Sequence, residues 1–189
     1  MVGANRAQDR SATWPDYPGR TGKGKKIRNS SFPKARRRYR WTKRSFEPQR
    51  LLQEMNAIAD SGFLVGFGNR NDQYHSWALE IANRVTEPLL TCDAVLAEAA
   101  FHLGSSALVL AYIREGLVRP AFVIGEHIAR LAELAARYAD RSPDLADLCL
   151  IRLSELHPRH SVITTDLADF RVYRRGRRGA IPLIHPPTR

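Results

Sequence analysis

From residue 55 onward, short apolar runs of strand length alternate with longer segments of helical periodicity, and this alternation restricts the fold more than any other feature. We predict strands at residues 56–59, 89–91, 119–123, 161–164 and 181–184. We predict helices at about 72–85, 93–103, 105–115, 125–138 and 143–156. Strands that alternate with helices are typical of a parallel sheet. The sequence therefore predicts an α/β fold with a parallel central sheet flanked by helices on both faces.

The ends of three predicted elements depend on particular residues. Residues 61–71 contain glycines and polar side chains, so we predict a loop there that includes at most the first turn of a helix. Asp93 is predicted to cap the helix that follows the second strand. Pro143 is predicted to occupy the first position of the helix that continues to about Leu156.

The positive charge of the chain is confined to its first quarter. Residues 1–50 contain 15 Lys and Arg against 3 acids, or +12, so the remaining 15 basic and 16 acidic residues sum to −1. The first segment is also rich in Pro, Gly and Ser, and it lacks apolar periodicity. We therefore predict a basic, disordered extension over residues 1–54 and a folded domain over residues 55–189.

Three interpretations of the extension stay open at this point. Cations and aromatic side chains alternate in 34–44 (KARRRYRWTKR), which suits an RNA-binding arm. The same segment could be a tail without function, or the true start could be Met55, directly before the first predicted strand. A transit peptide is the third interpretation, although its prolines disfavour an amphipathic helix.

Cysteine use and hydropathy indicate the compartment. Cys92 and Cys149 are far apart in apolar surroundings, which predicts two buried free thiols in a reducing environment. The longest apolar stretches are much too short to span a bilayer. We expect a cytoplasmic protein that does not associate with a membrane.

Four acidic residues are predicted to converge on one edge of the sheet. Asp60 and Asp166 each follow a predicted strand, and the carboxyl ends of parallel strands share an edge, where ligands bind. Glu98 and Asp147 lie in the first turns of helices that begin near the same edge. Clustered carboxylates repel each other, so a divalent cation such as Mg²⁺ or Mn²⁺ is their natural partner. Taken singly, each acid could equally be a turn, cap or helix-start residue.

Four segments together resemble the PIN-domain family, and within it the VapC-type toxins of bacterial toxin–antitoxin pairs. The resemblance covers about residues 55–184, and it rests on 58–65 (IADSGFLV), 91–99 (TCDAVLAEA), 138–147 (YADRSPDLAD) and 164–170 (TTDLADF). Each segment is weak evidence alone, but the four in this order are specific. The basic extension departs from the family, whose members usually start near the first strand.

The resemblance implies a PIN-like fold and RNA cleavage that depends on Mg²⁺ or Mn²⁺. The four family acids fall on Asp60, Glu98, Asp147 and Asp166, as catalytic residues and metal ligands. Three further side chains are implied as auxiliary metal ligands: Ser61, Asp144 and Asp169. The resemblance also implies that the protein forms a homodimer and that a cognate antitoxin protein inhibits it.

The basic stretch near the C-terminus suits phosphate positioning, and we predict RNA contacts from Arg171, Arg174 and Arg175. A solvated loop is the alternative for these residues. Three other functions remain for the whole chain. They are a non-catalytic RNA- or antitoxin-binding module with a PIN fold, another metal-dependent phosphohydrolase, and a scaffold whose basic extension carries the function.

Overall fold

The computed structural model describes residues 56–187, so the predicted extension over 1–54 and the boundary after it lie outside the described residues. The strands are β1 (Ala57–Ala59), β2 (Leu89–Thr91), β3 (Val118–Pro120), β4 (Ser161–Ile163), β5 (Arg174–Arg175), β6 (Gly179–Ala180) and β7 (Leu183–Ile184). The helices are α1 (Ser61–Gly68), α2 (His75–Ala82), α3 (Asp93–Leu103), α4 (Ser106–Arg114), α5 (Ile128–Arg137), α6 (Leu145–Leu156) and α7 (Leu167–Phe170).

Five strands form a parallel sheet in the order β3-β2-β1-β4-β7, and β5 and β6 form a separate antiparallel ribbon. Ile58 in β1 is aligned with Leu90 of β2 on one side and with Val162 of β4 on the other. Successive side chains of a strand point to opposite faces. All three residues of β1 and of β2 are buried, so both faces of the sheet are covered there. The predicted α/β class and parallel sheet are confirmed.

The predicted strand positions are confirmed with small changes in their ends. β2 matches its prediction, whereas β3 begins one residue earlier and ends at Pro120. The predicted helix over 125–138 is divided by His127 into a 3-10 turn, Ile124–Glu126, and α5. Of the residues predicted to form a helix over 72–85, only those of α2, His75–Ala82, are helical. Helix α7 and the β5–β6 ribbon were not predicted from the sequence.

The predicted loop over residues 61–71 is wrong, because eight of those residues form α1. The glycines of α1 are required by close packing against neighbouring side chains, and they do not form a turn. A Cβ atom on Gly62 would collide with the side chain of Thr165, and one on Gly68 would collide with the hydroxyl of Tyr112. Phe63 and Leu64, which lie between these two glycines in the sequence, are fully buried. The free energy gained by their burial offsets the low helix propensity of glycine.

Two predicted helix starts are also wrong by one or two positions. Cys92, not Asp93, is the N-cap of α3, and Asp93 lies in the first turn, where a negative charge is favourable. Pro143 precedes the N-cap of α6, which is Asp144. The carboxylate of Asp144 accepts a hydrogen bond from the backbone N–H of Asp147 at 2.8 Å. A side-chain cap therefore starts the helix that carries one of the four predicted acids.

The core lies between the sheet and the helices. Its largest fully buried side chains include Tyr173, Phe63, Phe170 and Leu150. Cys92 and Cys149 are buried free thiols, as predicted. Between residues 56 and 187, no helix has the length and apolar character needed to cross a membrane.

We predict that Gly68→Ala destabilises the protein by about 1–3 kcal/mol, because the new methyl group would force Tyr112, Leu103 and Leu108 apart. Gly125→Ala is the matched control, since a Cβ atom there meets no heavy atom within 4 Å. Urea denaturation measures both. Equal midpoints for the two variants would contradict the close packing of α1 against α4.

Candidate active site

Asp60 and Asp166 come together because they follow neighbouring strands of the sheet. Asp60 directly follows β1 and is the N-cap of α1, and Asp166 follows β4 and is the N-cap of α7. From β1 the chain crosses to β2 on one side, while β4 lies on the other side. The carboxyl ends of β1 and β4 therefore flank a topological switch point, the usual position of a binding crevice in open α/β sheets.

Two helices bring the remaining predicted acids to the same place. Glu98 lies in the second turn of α3, and Asp147 lies in the first turn of α6, which packs against α3. All four acids line one open cleft of about 510 Å³, here called the acidic cleft. The cleft is also lined by Ser61 and by the three further acids Asp72, Asp144 and Asp169.

Thr164 joins Asp60 to Asp166. Its hydroxyl donates a hydrogen bond to Asp60 Oδ2 at 2.7 Å and accepts one from the backbone N–H of Asp166 at 2.9 Å. The other oxygen of Asp60 accepts from the backbone N–H and the hydroxyl of Ser61, at 2.6 and 3.3 Å. Thr164 is fully buried, so one threonine directly after β4 orients the carboxylate of Asp60 and holds the backbone of Asp166.

Asp147 is held by Tyr173, which follows α7. The Tyr173 hydroxyl donates to Asp147 Oδ2 at 3.1 Å, and its ring packs edge-on against Phe170 and Tyr138. Burial, followed by the negative charge of Asp147, raises the pKa of Tyr173, so its hydroxyl stays protonated and remains a donor. Asp166 Oδ1 accepts from the backbone N–H of Asp169 at 3.1 Å.

Burial and mutual repulsion favour the protonated forms of these acids. Burial raises the pKa of Asp60 to about 6; hydrogen bonds from Thr164 and Ser61 oppose this effect, and the charge of Glu98 adds to it. Burial raises the pKa of Asp147 to about 7, with further contributions from the charges of Asp144, Asp60 and Asp166. Burial and the charge of Asp144 also raise the pKa of Glu98. The acids are therefore close enough to influence each other's ionisation.

Few cations balance this charge. The imidazole of His102 lies 3.8 Å from Glu98, and Arg141 lies 4.0 Å from Asp169 at the edge of the cleft. Among the described residues, no Lys or Arg lines the cleft itself. The cleft therefore presents an excess of negative charge that attracts a cation.

The carboxylate and hydroxyl oxygens of the cleft are ligands of the kind that a divalent cation such as Mg²⁺ prefers. Within residues 56–187, no three His, Cys, Asp or Glu side chains are grouped closely enough to enclose a metal. Mg²⁺ keeps several of its waters and is held directly by only one or two carboxylates. The chemistry and charge of the cleft are therefore compatible with such an ion without a tight triad.

Several residues of the cleft were missed by sequence reasoning. Asp72 lies at the start of the helix predicted over 72–85, but its carboxylate accepts from the N–H of Tyr74 in a turn, and both residues line the cleft. His102 follows Glu98 by one helical turn, a spacing that could have indicated its place. No sequence signal pointed to Tyr173, since its contact with Asp147 depends on how the chain returns after α7.

The three arginines predicted to contact RNA do not line the acidic cleft. The guanidinium of Arg174 donates to the carbonyl groups of Arg171, Val172 and Tyr173. The guanidinium of Arg175 donates to the carbonyl groups of Pro158 and His160, and Arg171 is exposed. The hydrogen bonds of Arg174 and Arg175 therefore stabilise the start of the β5–β6 ribbon. A role of the three arginines in RNA binding remains a prediction.

The chain matches no model of a known protein family, and the search of curated proteins finds no significant match.

We predict that the metal-free protein loses stability as the pH rises from 5 to 7.5. The pKa of Asp60 is about 6 in the folded state and near 3.8 when unfolded, so the folded state binds its proton more tightly. Deprotonation of Asp60 over this range costs about 1.4 kcal/mol of unfolding free energy. Asp147, with a folded pKa of about 7, acts in the same direction.

Denaturation of the wild type and of Asp60→Asn, each at pH 5 and pH 7.5 with chelator, measures this cost. The asparagine carries no charge, so we expect a smaller loss of stability in the variant. Equal losses in the two proteins would show that the Asp60 carboxylate is not destabilised by burial.

Proposed function

We propose that this chain is a metal-dependent endoribonuclease with a PIN-like fold, similar to the VapC-type toxins. One observation carries the proposal. Four acids from separate parts of the sequence, Asp60, Glu98, Asp147 and Asp166, line a single cleft at the carboxyl edge of a parallel sheet. Each acid alone has an ordinary structural explanation, and caps that follow parallel strands share an edge in any case. Capping does not, however, require a buried Asp60 carboxylate in the same cleft as three further acids.

The proposed cofactor is Mg²⁺ or Mn²⁺, held by the same four acids with Ser61, Asp144 and Asp169 nearby. When bound, such an ion neutralises the carboxylates, lowers the pKa of a water and stabilises the charge that develops on a phosphodiester. The protein supplies the orientation of its ligands. Thr164, Ser61 and Tyr173 fix the oxygens of Asp60 and Asp147, and the N–H of Asp169 fixes Asp166.

Hydrolysis of a phosphodiester requires a group that accepts a proton from the attacking water. We assign this role to Asp147, whose position in the cleft is fixed by a hydrogen bond. Its Oδ2 is occupied by the hydroxyl of Tyr173, which leaves Oδ1 to accept the proton.

The same resemblance leads us to propose a homodimer and inhibition by a cognate antitoxin. Apolar side chains on α3 and α4 support contact with another protein, since Phe101 is 82% and Leu110 is 63% exposed. A cation of the antitoxin would be attracted to the acidic cleft.

The test of the proposed activity is cleavage of total and structured RNA by the purified protein with Mg²⁺, with Mn²⁺ and with chelator. We expect cleavage that requires metal and that falls by at least about 100-fold in Asp60→Asn, because the electrostatic stabilisation of the transition state is lost. Asp93→Asn is the matched control, an exposed acid on α3 that does not line the cleft.

Other outcomes of this assay separate the remaining functions. RNA binding without cleavage, or cleavage that ignores both the chelator and Asp60→Asn, would replace the nuclease with a non-catalytic binding module. Metal-dependent hydrolysis of small phosphoesters alone would indicate a different phosphohydrolase.

We further predict that Thr164→Val weakens Mn²⁺ binding by roughly 10-fold or more, because the valine can neither orient the carboxylate of Asp60 nor accept from the backbone N–H of Asp166. Thr164→Ser keeps the hydroxyl and should keep most of the affinity. Calorimetric titration with MnCl₂ gives the affinity without any assay of activity. Thr86→Val, at an exposed position, controls for the substitution itself, and equal affinity in all four proteins would contradict the role of Thr164.

A further inference from the structure

A second cavity, of about 380 Å³, lies beside the β5–β6 ribbon and is lined mainly by arginines. Arg130 comes from α5, Arg152 and Glu155 from the second half of α6, and Arg175 and Gly176 from the end of β5 and the turn after it. We call this set the arginine pocket. None of its residues lines the acidic cleft.

Glu155 is the centre of the pocket and is already saturated with hydrogen bonds. Its Oε1 accepts from Arg130 Nη2 at 2.6 Å and from the N–H of Gly176 at 3.0 Å. Its Oε2 accepts from Arg130 Nε at 3.1 Å and from Arg152 Nη1 at 2.9 Å. With its side chain only 8% exposed, Glu155 has little capacity for a further cation.

The pocket therefore holds more positive charge than its own structure needs. Three guanidinium groups face one carboxylate, and a second acid paired with them, Glu133, is 65% exposed. Within the part of the chain that the structure describes, Arg175 donates to the uncharged carbonyl groups of Pro158 and His160 and to no acid. The Nε atoms of Arg152 and Arg175 are buried and have no acceptor among residues 56–187. A network that served stability alone would balance its charges and satisfy its donors.

An anion with several oxygens would balance the positive charge of the pocket and would contact the exposed parts of its guanidinium groups, since the Nε atoms themselves are buried. Phosphate groups match the planar fork of a guanidinium, and they accept several charge-assisted hydrogen bonds at once. The side chains of Arg130 and Arg152 remain 23% and 24% exposed, so an anion can reach them.

The arginine pocket and the acidic cleft lie toward opposite ends of one structural unit. Asp147 in the first turn of α6 contacts Tyr173, and Glu155 in its last turn contacts Gly176, so residues 173–176 run alongside the helix. Eight residues of helix correspond to about 12 Å along its axis. A nucleic acid strand of a few nucleotides can extend over that distance.

We propose that Arg130, Arg152 and Arg175 form a phosphate-binding site that holds the backbone of an RNA strand beyond the nucleotides bound in the acidic cleft. The assignment of RNA as the ligand rests on the proposed ribonuclease function. The inference that the pocket binds a phosphate group does not depend on that function. The site gives the protein a preference for longer RNA and no preference for sequence, since backbone contacts carry no base information.

The experiment measures binding of a fluorescently labelled 12-nucleotide single-stranded RNA by anisotropy, with chelator present so that cleavage does not interfere. We expect Arg152→Gln to weaken binding by roughly tenfold. It should also reduce the slope of log K against log salt by about 0.7, the value for one phosphate contact of a single strand. Arg114→Gln is the matched control, an arginine on α4 whose side chain is 76% exposed.

Glu155→Gln provides a test with the opposite sign. It removes the carboxylate of the pocket, so RNA should bind more tightly if the arginines hold phosphate. The melting temperature of each variant is measured first. If either variant does not fold, the wild type decides the question by nuclear magnetic resonance, in which the Nε–H signals of Arg152 and Arg175 should shift on addition of the RNA while that of Arg114 stays in place.

Unchanged RNA affinity in a folded Arg152→Gln protein, or unshifted Nε–H signals, overturns the proposal. Its failure is distinct from failure of the nuclease function. If the wild type cleaves RNA and Arg152→Gln binds RNA as tightly as the wild type, the phosphate site is rejected and the nuclease function stands. If Arg152→Gln weakens RNA binding but the wild type does not cleave RNA, the nuclease function is rejected and the phosphate site stands. Equal effects of inorganic phosphate and RNA on the signals, at equal concentration, would show a site for free phosphate and overturn the RNA assignment.

Discussion

The burial of the Asp60 carboxylate at the end of β1 is the constraint on which the rest of the site depends. A charged group in that position is costly unless hydrogen bonds or a cation compensate it. Ser61 and Thr164 supply hydrogen bonds to both of its oxygens. Since Thr164 belongs to the end of the neighbouring strand, the pairing of β1 with β4 and the orientation of Asp60 depend on each other.

The remaining acids add repulsion that the fold must withstand. The raised pKa values of Asp60 and Asp147 show that burial and like charges oppose their ionisation. Helix geometry offsets part of this cost, because Asp144 caps α6 and Asp147 lies in its first turn, where the free N–H groups favour negative charge. The site thus carries an unfavourable electrostatic free energy, which the stability of the surrounding core offsets.

Helix α6 organises charge along its whole length. Its N-terminal end carries Asp144 and Asp147 beside the acidic cleft, and its C-terminal half carries Arg152 and Glu155 in the arginine pocket. The polarity of a helix favours anions at the first end and cations at the second. A nucleic acid strand, whose backbone is negatively charged, would need the arginines at the C-terminal end of α6. At the N-terminal end it would need acids whose charge a metal ion has neutralised. In our proposal, a single helix therefore aligns the two parts of a nucleic acid site.

The sequence by itself determined the α/β class and most of the strand positions, because apolar periodicity reflects burial directly. It also indicated which acids would share an edge, since residues that follow parallel strands must do so. Only the tertiary structure decided that the glycines at 62 and 68 belong to a helix, because the reason lies in Thr165 and Tyr112, which are remote in sequence. In the same way it placed Tyr173 against Asp147 and assembled three arginines around Glu155, contacts between residues whose separation along the chain leaves no local pattern.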